Sequence, residues 1–177
     1  LVLAAPLLLL LLPQAPLSAG DLSASYAGAG ALSAPAGEVR TQAASALPGL
    51  DPEGRTILVS DEDFGFWIAE LYANMEAYRD YTVSMTGFVI NDPSYFAESE
   101  FVPARMMMTC CVGDLSPVGL LCVYDQAHAL EADSWVRVEG KLVPGWQTYG
   151  SATYNDPWIQ VSRIEPAEEV PGYVYLD

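Results

Sequence analysis

The sequence predicts a mainly β protein whose C-terminal part is a five-stranded barrel of the OB type, preceded by one amphipathic helix. Hydrophobic residues recur at helical spacing up to Tyr78 and at the alternating spacing of β-strands after it. Turn-forming residues divide this second part into five strands, and a stretch suited to a short helix separates the third from the fourth. Five strands with a helix in that place follow the OB plan, and an SH3-like barrel is the alternative.

Two segments precede the predicted domain. Residues 1–12 are apolar throughout, but twelve helical residues extend only about 18 Å, less than a bilayer core of about 30 Å. They are typical of the end of a transmembrane helix, of the hydrophobic part of a signal peptide, or of a merely adhesive tail. Residues 13–56 are rich in Ala, Ser, Gly and Pro and predict a flexible linker. We therefore expect the folded domain to span residues 57–177 and to fold without the preceding segments.

The predicted helix opens with Ser60, a suitable N-cap, and the carboxylates of Asp61, Glu62 and Asp63, which complement the helix dipole. Large apolar residues then recur every three or four positions, which places them on one face of a helix. They are Phe64, Trp67, Ile68, Leu71, Met75 and Tyr78. We expect this aromatic-rich face to be buried.

Five strands are predicted after Tyr81, each bounded by residues that form turns. Gly87 and Gly140 lie inside the first and fourth strands and predict bulges or sharp coiling, as closure of a barrel requires. A short helix of about two turns fits residues 125–131, between the third and fourth strands. The five strands span residues 82–90, 101–112, 118–124, 134–143 and 158–164.

The charge of the chain argues against nucleic acid as a partner. The chain carries 7 basic and 23 acidic residues, a formal net charge of −16, whereas binding of a polyanion relies on basic side chains. The sequence also lacks a glycine-rich nucleotide-binding loop, a CxxC pair and a Ser-His-Asp set, and His128 is its single histidine. Because no set of acid, base and nucleophile can be named, an enzyme is not expected.

Sulfur-containing residues are concentrated in residues 106–114, which read Met-Met-Met-Thr-Cys-Cys-Val-Gly-Asp, and the third cysteine follows at Cys122. One interpretation is a zinc or copper site formed by Cys110, Cys111, Asp114 and Cys122. Another is a disulfide, and a third is a redox-active vicinal pair. The fourth is plain packing, in which cysteine and methionine fill the core of a small barrel.

Hairpin geometry gives the disulfide hypothesis a specific form. If the second and third strands are joined by a turn centred between Ser116 and Pro117, Cys111 lies directly opposite Cys122. Opposed Cβ atoms in an antiparallel pair are about 4.5–5.5 Å apart, so the two thiols could form a disulfide or bind one metal ion. Cys110 would then point to the other face of the sheet, and a slip of one residue would exchange the two.

One stretch resembles a known family. Residues 101–120 read FVPARMMMTCCVGDLSPVGL, and this run resembles the YcgQ-like family of bacterial proteins, which are described as subunits of two-component membrane permeases. The similarity covers about residues 57–177 and includes residues 85–89, 134–140 and 171–175. This resemblance implies that residues 1–12 are the end of a transmembrane helix and that the domain lies on the outer side of the cell membrane. It also implies a partner, a multi-spanning permease subunit.

We therefore expect an extracytoplasmic accessory subunit of a permease complex, whose OB-type domain is an interaction or solute-sensing module. Arg105 and Trp135 are the residues expected at the partner interface. The carboxylates expected to neutralise Arg105 are Glu98, Glu100 and Asp114. The alternative is a thiolate-based zinc- or copper-binding protein at the cell surface, and apart from such a metal no cofactor is expected.

Overall fold

The computed structural model describes residues 47–109, 111–149 and 152–175. The predicted transmembrane segment, residues 1–12, lies outside these ranges, as does most of the predicted linker. Within the described ranges, no helix is both long enough and apolar enough to cross a membrane. The sheet begins at Leu50, inside the span predicted as linker, because Leu50 pairs with Ile57 in a short hairpin and Ile57 is buried. The first described strand therefore lies within the span predicted as linker.

The helix forms where the apolar spacing predicts it. Helix α1 spans Phe64–Asn74 and continues as a 3₁₀ turn over Met75–Tyr78. It begins later than Ser60, because the first helical hydrogen bond runs from the N–H of Trp67 to the carbonyl of Asp63. The Ser60 hydroxyl accepts a hydrogen bond from the N–H of Asp63 in the turn before the helix. The aromatic-rich face is buried as predicted, and the Trp67 indole donates a hydrogen bond to the carbonyl of Pro48.

Eight strands are described, and five positions of the barrel are formed from the last six of them. The two short strands at the start extend the sheet, since β2 pairs in parallel with β3. The strands are β1 (Leu50–Asp51), β2 (Thr56–Leu58), β3 (Thr82–Ile90), β4 (Glu100–Met107), β5 (Ser116–Val118), β6 (Leu121–Val123), β7 (Trp135–Tyr149) and β8 (Ala152–Pro166).

The barrel closes in the strand order of the OB fold. β3 pairs antiparallel with β4 on one side and with β7 on the other. β4 pairs with β5 and β6, β6 lies parallel to β8, and β8 pairs antiparallel with β7. β5 and β6 together occupy one barrel position. This closed order confirms the prediction of a mainly β, OB-type barrel over the SH3-like alternative.

Three details differ from the predicted elements. The third predicted strand is split at Gly119, whose close approach to the backbone of Pro103 leaves no room for a side chain. The short helix before the fourth strand is a single 3₁₀ turn, Ala127–Ala129. β7 and β8 are much longer than predicted and stay paired to their ends, with one irregularity at Glu139/Gly140, where a bulge was predicted.

The interior of the barrel is filled by side chains, together with the buried face of α1. Every second residue of the strands points inward, as the alternation predicts. The C-terminal segment closes over this core, because Val174 is buried and its N–H and carbonyl bond the backbone of Met106 and Met108. The largest fully buried side chains include Trp67, Phe64, Phe101, Ile57, Ile68, Leu71, Met85, Leu142 and Ile159.

Candidate functional site

Arg105 is a buried cation in the barrel. It lies on β4 with only 3% of its surface exposed, and its guanidinium stands 5.6 Å from the centre of the Phe64 ring and 5.5 Å from that of Trp135. Its Nη1 donates a hydrogen bond to Asp61 Oδ1 at 3.2 Å. Burial lowers the pKa of Arg105, while the charge of Asp61 and this hydrogen bond act in the opposite direction.

The carboxylate that pairs with Arg105 differs from those expected. Glu98, Glu100 and Asp114 are near in sequence, but the described ion pair is with Asp61, 44 positions away, because the turn before α1 packs against the barrel. The side chain of Arg105 is therefore occupied inside the domain and does not reach an outer surface in this structure. Its place at a partner interface is not supported by this geometry.

Trp135 lies at the edge of a second apolar cluster, on the outside of the barrel. It is half-buried, pairs with Phe88 across the β3–β7 ladder, and its ring centre is 5.9 Å from that of Phe88. We call this cluster the outer apolar face. Its buried members are Phe88, Ile90, Phe96, Val102, Ala104 and Leu121, and its half-buried members are Met106, Val123, Trp135 and Trp158.

Strand alternation explains why this face lies outside the barrel. On β4, Phe101 belongs to the interior cluster. Because side chains alternate along a strand, Val102, Ala104 and Met106 point outward. The members of this face come from β3, β4, β6, β7 and β8, and Phe96 lies in the loop before β4. Tyr95, next to Phe96, is 55% exposed. These groups suit an apolar partner surface better than a polyanion.

A polar groove of about 490 Å³ lies on another part of the barrel wall. Its floor contains Thr86 and Arg137, which are directly opposed on β3 and β7, and Arg137 Nε donates to Thr86 Oγ1 at 3.4 Å. The neighbouring Glu165 is paired with Arg163. Among the described residues, Arg137 has no carboxylate within ion-pair distance, although Asp61, Glu165, Glu168 and Glu169 line the same groove.

The cysteines do not meet as predicted. β4 pairs with the next strands so that Arg105 faces Val118 and Phe101 faces Cys122. The turn of this hairpin therefore lies around Cys111, and the predicted turn between Ser116 and Pro117 is wrong. Cys122 is paired with Phe101, which lies six residues, or roughly 20 Å, before the end of β4 at Met107. Cys111 follows that end of the strand, so it is far from Cys122. The predicted pairing of Cys111 with Cys122 is thus wrong, whether as a disulfide or in one metal site.

The two described cysteines have opposite environments. Cys111 is exposed and Cys122 is fully buried. Burial raises the pKa of the Cys122 thiol well above its usual range. Asp114 Oδ1 accepts a hydrogen bond from the N–H of Thr109 at 3.2 Å, and Cys110 lies outside the described residues. The described part of the chain brings no three His, Cys, Asp or Glu side chains together as a metal site.

A family model matches residues 37–176, which include the whole barrel and α1. The chain belongs to the DUF1980 C-terminal domain family. This family has no assigned function. No curated protein matches the chain.

The DUF1980 C-terminal domain carries one feature that the sequence reasoning missed, a long hairpin formed by β7 and β8. Pro144-Gly145 reads as a turn, but β7 continues to Tyr149 because the missing side chain of Gly145 leaves room for the Trp158 ring. Trp146, just beyond, is 70% exposed, the largest exposed fraction among the large apolar residues of the described chain. The aromatic and β-branched residues Trp146, Thr148 and Tyr149 were the available signal for a longer strand.

Proposed function

We propose that this domain is the extracytoplasmic interaction module of a membrane permease complex and that it binds a partner subunit through the outer apolar face. The family match is compatible with the resemblance to YcgQ-like permease subunits on which this proposal draws. The apolar run of residues 1–12 favours a place at the membrane. The observation that carries the proposal is the second apolar cluster, because a closed barrel has no need of one outside its core.

The composition of the outer apolar face favours a protein partner. Met106 and the two tryptophans, Trp135 and Trp158, are residue types enriched at protein interfaces. They surround buried side chains such as Leu121, so a partner that covers them would extend an apolar layer that is already packed. The net charge of −16 favours partners with basic residues around the contact, because opposite charges at the rim of an interface accelerate association.

Co-purification from native membranes tests this proposal with a matched pair of variants. Val123→Lys places a charge on the outer apolar face, and Leu58→Lys places the same charge on β2, where Leu58 is 60% exposed. The full chain and Leu58→Lys should retain a multi-spanning membrane protein after mild detergent extraction, and Val123→Lys should lose it while keeping its melting transition. Equal recovery by all three chains, or by none, contradicts the proposal.

The groove supports solute sensing as a second candidate. Arg137 and the carboxylates of Asp61, Glu165, Glu168 and Glu169 line the same groove, so it is suited to a small solute that carries both a carboxylate and an amine, such as an amino acid. Binding should raise the melting temperature of the full chain. A panel of small carboxylic and amino acids should contain at least one such ligand, and Arg137→Gln should abolish its effect. Arg79→Gln, a change of an exposed arginine on another surface, is the control.

A further inference from the structure

The hairpin arm, formed by residues 146–149 and 152–155, extends beyond the barrel as a two-stranded ribbon. The ladder between β3 and β7 ends at Lys141, and that between β6 and β8 begins at Trp158. Between these points, the described residues of β7 and β8 pair only with each other. A ribbon of this kind gains little from its own packing, and its aromatic side chains stay accessible.

The exposed aromatic residues of the hairpin arm lie on opposite faces of the ribbon. Trp146 is opposed to Asn155, and Tyr154 is opposed to Gln147. Opposed residues share a face and consecutive residues alternate, so Trp146 and Tyr154 point to different sides. Trp146 is 70% exposed and Tyr154 is 47% exposed. A flat protein surface would cover one of these faces and leave the other in water.

The hairpin arm also carries no charge. Residues 146–155 read Trp-Gln-Thr-Tyr-Gly-Ser-Ala-Thr-Tyr-Asn, without Asp, Glu, Lys, Arg or His, in a chain with a net charge of −16. The nearest carboxylate, Asp156, is paired with Gly145 at the base of the arm and is buried. Charged side chains oppose entry into a membrane interface, whereas the amphipathic rings of Trp and Tyr favour the level of the lipid headgroups. The arm therefore differs from the rest of the chain in having aromatic residues and no charged ones, which favours contact with lipid.

We propose that the hairpin arm inserts Trp146 and Tyr154 into the headgroup region of a lipid bilayer. Lipid surrounds an inserted ribbon and so contacts both of its faces. No third strand pairs with the described residues of the ribbon, which confines insertion to the hydrated interface and excludes the hydrocarbon core. The lipid is zwitterionic, because a bilayer of anionic lipid repels a chain with a net charge of −16. This contact uses a different surface from the outer apolar face and does not depend on the permease proposal.

Fluorescence quenching by brominated phosphatidylcholine tests this inference on the full chain. Quenching of the wild type minus quenching of Trp146→Phe isolates the signal of Trp146, because Trp67 is buried and the Trp135 and Trp158 rings are half-buried in both proteins. We expect vesicles brominated near the headgroups to quench the wild type more than Trp146→Phe, and vesicles brominated at the chain ends to show a smaller difference. Equal quenching of the two proteins overturns the inference, even where residues 1–12 hold the chain on the vesicle.

A pair of charge variants separates insertion from mere proximity. Gln147→Glu places a carboxylate on the hairpin arm, and Gln126→Glu places the same group at an exposed position away from it. Gln147→Glu should remove the quenching of Trp146, and Gln126→Glu should leave it unchanged. If Gln147→Glu keeps full quenching, or if a photo-crosslinker at position 146 captures protein and no lipid on native membranes, the arm is not a lipid contact.

Discussion

Asp61 and Arg105 form an ion pair between the turn that precedes α1 and the barrel strand β4, with 3.2 Å between Oδ1 and Nη1. The two ends differ in environment, since the side chain of Arg105 is 3% exposed and that of Asp61 is 55% exposed. The aromatic rings of Phe64 and Trp135 flank the guanidinium. The ion pair therefore connects the turn before α1 to β4, and Arg105 contacts both Phe64 of α1 and Trp135 of the outer apolar face.

Loss of the Asp61 carboxylate should destabilise the domain. In Asp61→Asn the buried guanidinium of Arg105 loses its ion-pair partner, and we expect about 1–2 kcal/mol less stability, reduced from the value for fully buried pairs because Asp61 is half in solvent. Urea denaturation of the full chain measures the change. Glu62→Gln, at the next and exposed position, is the control and should shift stability by less than about 0.5 kcal/mol. Equal stability of the two variants contradicts the structural role of the pair.

Tyr78 should make the stability fall at high pH. Burial, and then its hydrogen bond to Glu70 Oε1 at 2.6 Å, hold the pKa of Tyr78 well above its usual range. Above about pH 10 a tyrosine ionises in the unfolded chain while Tyr78 stays protonated in the fold. The unfolded state then binds fewer protons, so stability decreases as pH rises.

The variant Tyr78→Phe isolates this effect. At pH 7 it should lose about 1–2 kcal/mol, because the hydrogen bond to a carboxylate is removed. Between pH 10 and about 11.5 its stability should fall less steeply than that of the wild type. Tyr95→Phe, at an exposed position, should follow the wild type at every pH. Parallel pH profiles for wild type and Tyr78→Phe would show that Tyr78 does not titrate as described.

Gly87 should tolerate no side chain. A Cβ at this position would stand 2.6 Å from the carbonyl carbon of Pro103 and 2.7 Å from the oxygen of Ala104, and both are backbone atoms that cannot rotate away. Gly87→Ala should therefore cost about 1–3 kcal/mol through overpacking where β3 crosses β4. Gly113→Ala is the control, since its nearest atom is the Cys111 sulfur at 3.7 Å. A thermal melt distinguishes the two, and equal midpoints contradict the described crossing.

The cysteines should differ in reactivity. Cys111 is exposed and should react with iodoacetamide in the native protein, whereas Cys122 is fully buried with a raised pKa and should react only after unfolding. Peptide mass mapping reads out the modified positions. A disulfide between Cys111 and Cys122 in protein purified without reductant contradicts the structure. The zinc or copper hypothesis stays a prediction for Cys110, Cys111 and Asp114, and metal analysis of protein purified without chelators tests it.

The sequence predicted the elements whose signals are local. β3 spans Thr82–Ile90 as predicted, because alternating apolar residues are followed by Asn-Asp-Pro, which stops a strand. The buried face of α1 follows from its three- and four-residue spacing, and five strands with a turn between the third and fourth suffice to indicate the OB order. The outer apolar face was not predicted, because β4 is buried on both sides and its sequence therefore shows no alternation of apolar and polar residues.

The misplaced register has a physical cause. Two turn signals compete after β4, and the first of them, which includes Gly113, forms the turn, since the carboxylate of Asp114 accepts the N–H of Thr109. Pro117 instead pairs with Met106 inside the sheet. Likewise, the hairpin arm is extended by a contact between Gly145 and Trp158, which lie on different strands. The residues next to each of them in the sequence do not predict this contact. Asp61 and Arg105 meet for the same reason, through packing and not through sequence spacing.

Photo-crosslinking at the outer apolar face tests the central claim most directly. A benzophenone amino acid in place of Tyr95, which is 55% exposed beside Phe96, is compared with the same amino acid in place of Tyr173, which is 45% exposed in the C-terminal segment. Both substitutions exchange one exposed aromatic ring for another, so the fold is retained. On native membranes, we expect position 95 to capture one multi-spanning membrane protein in high yield and position 173 to capture little of it. Absence of a crosslinked membrane protein at position 95, or equal yields at the two positions, contradicts the claim that this face binds a permease subunit.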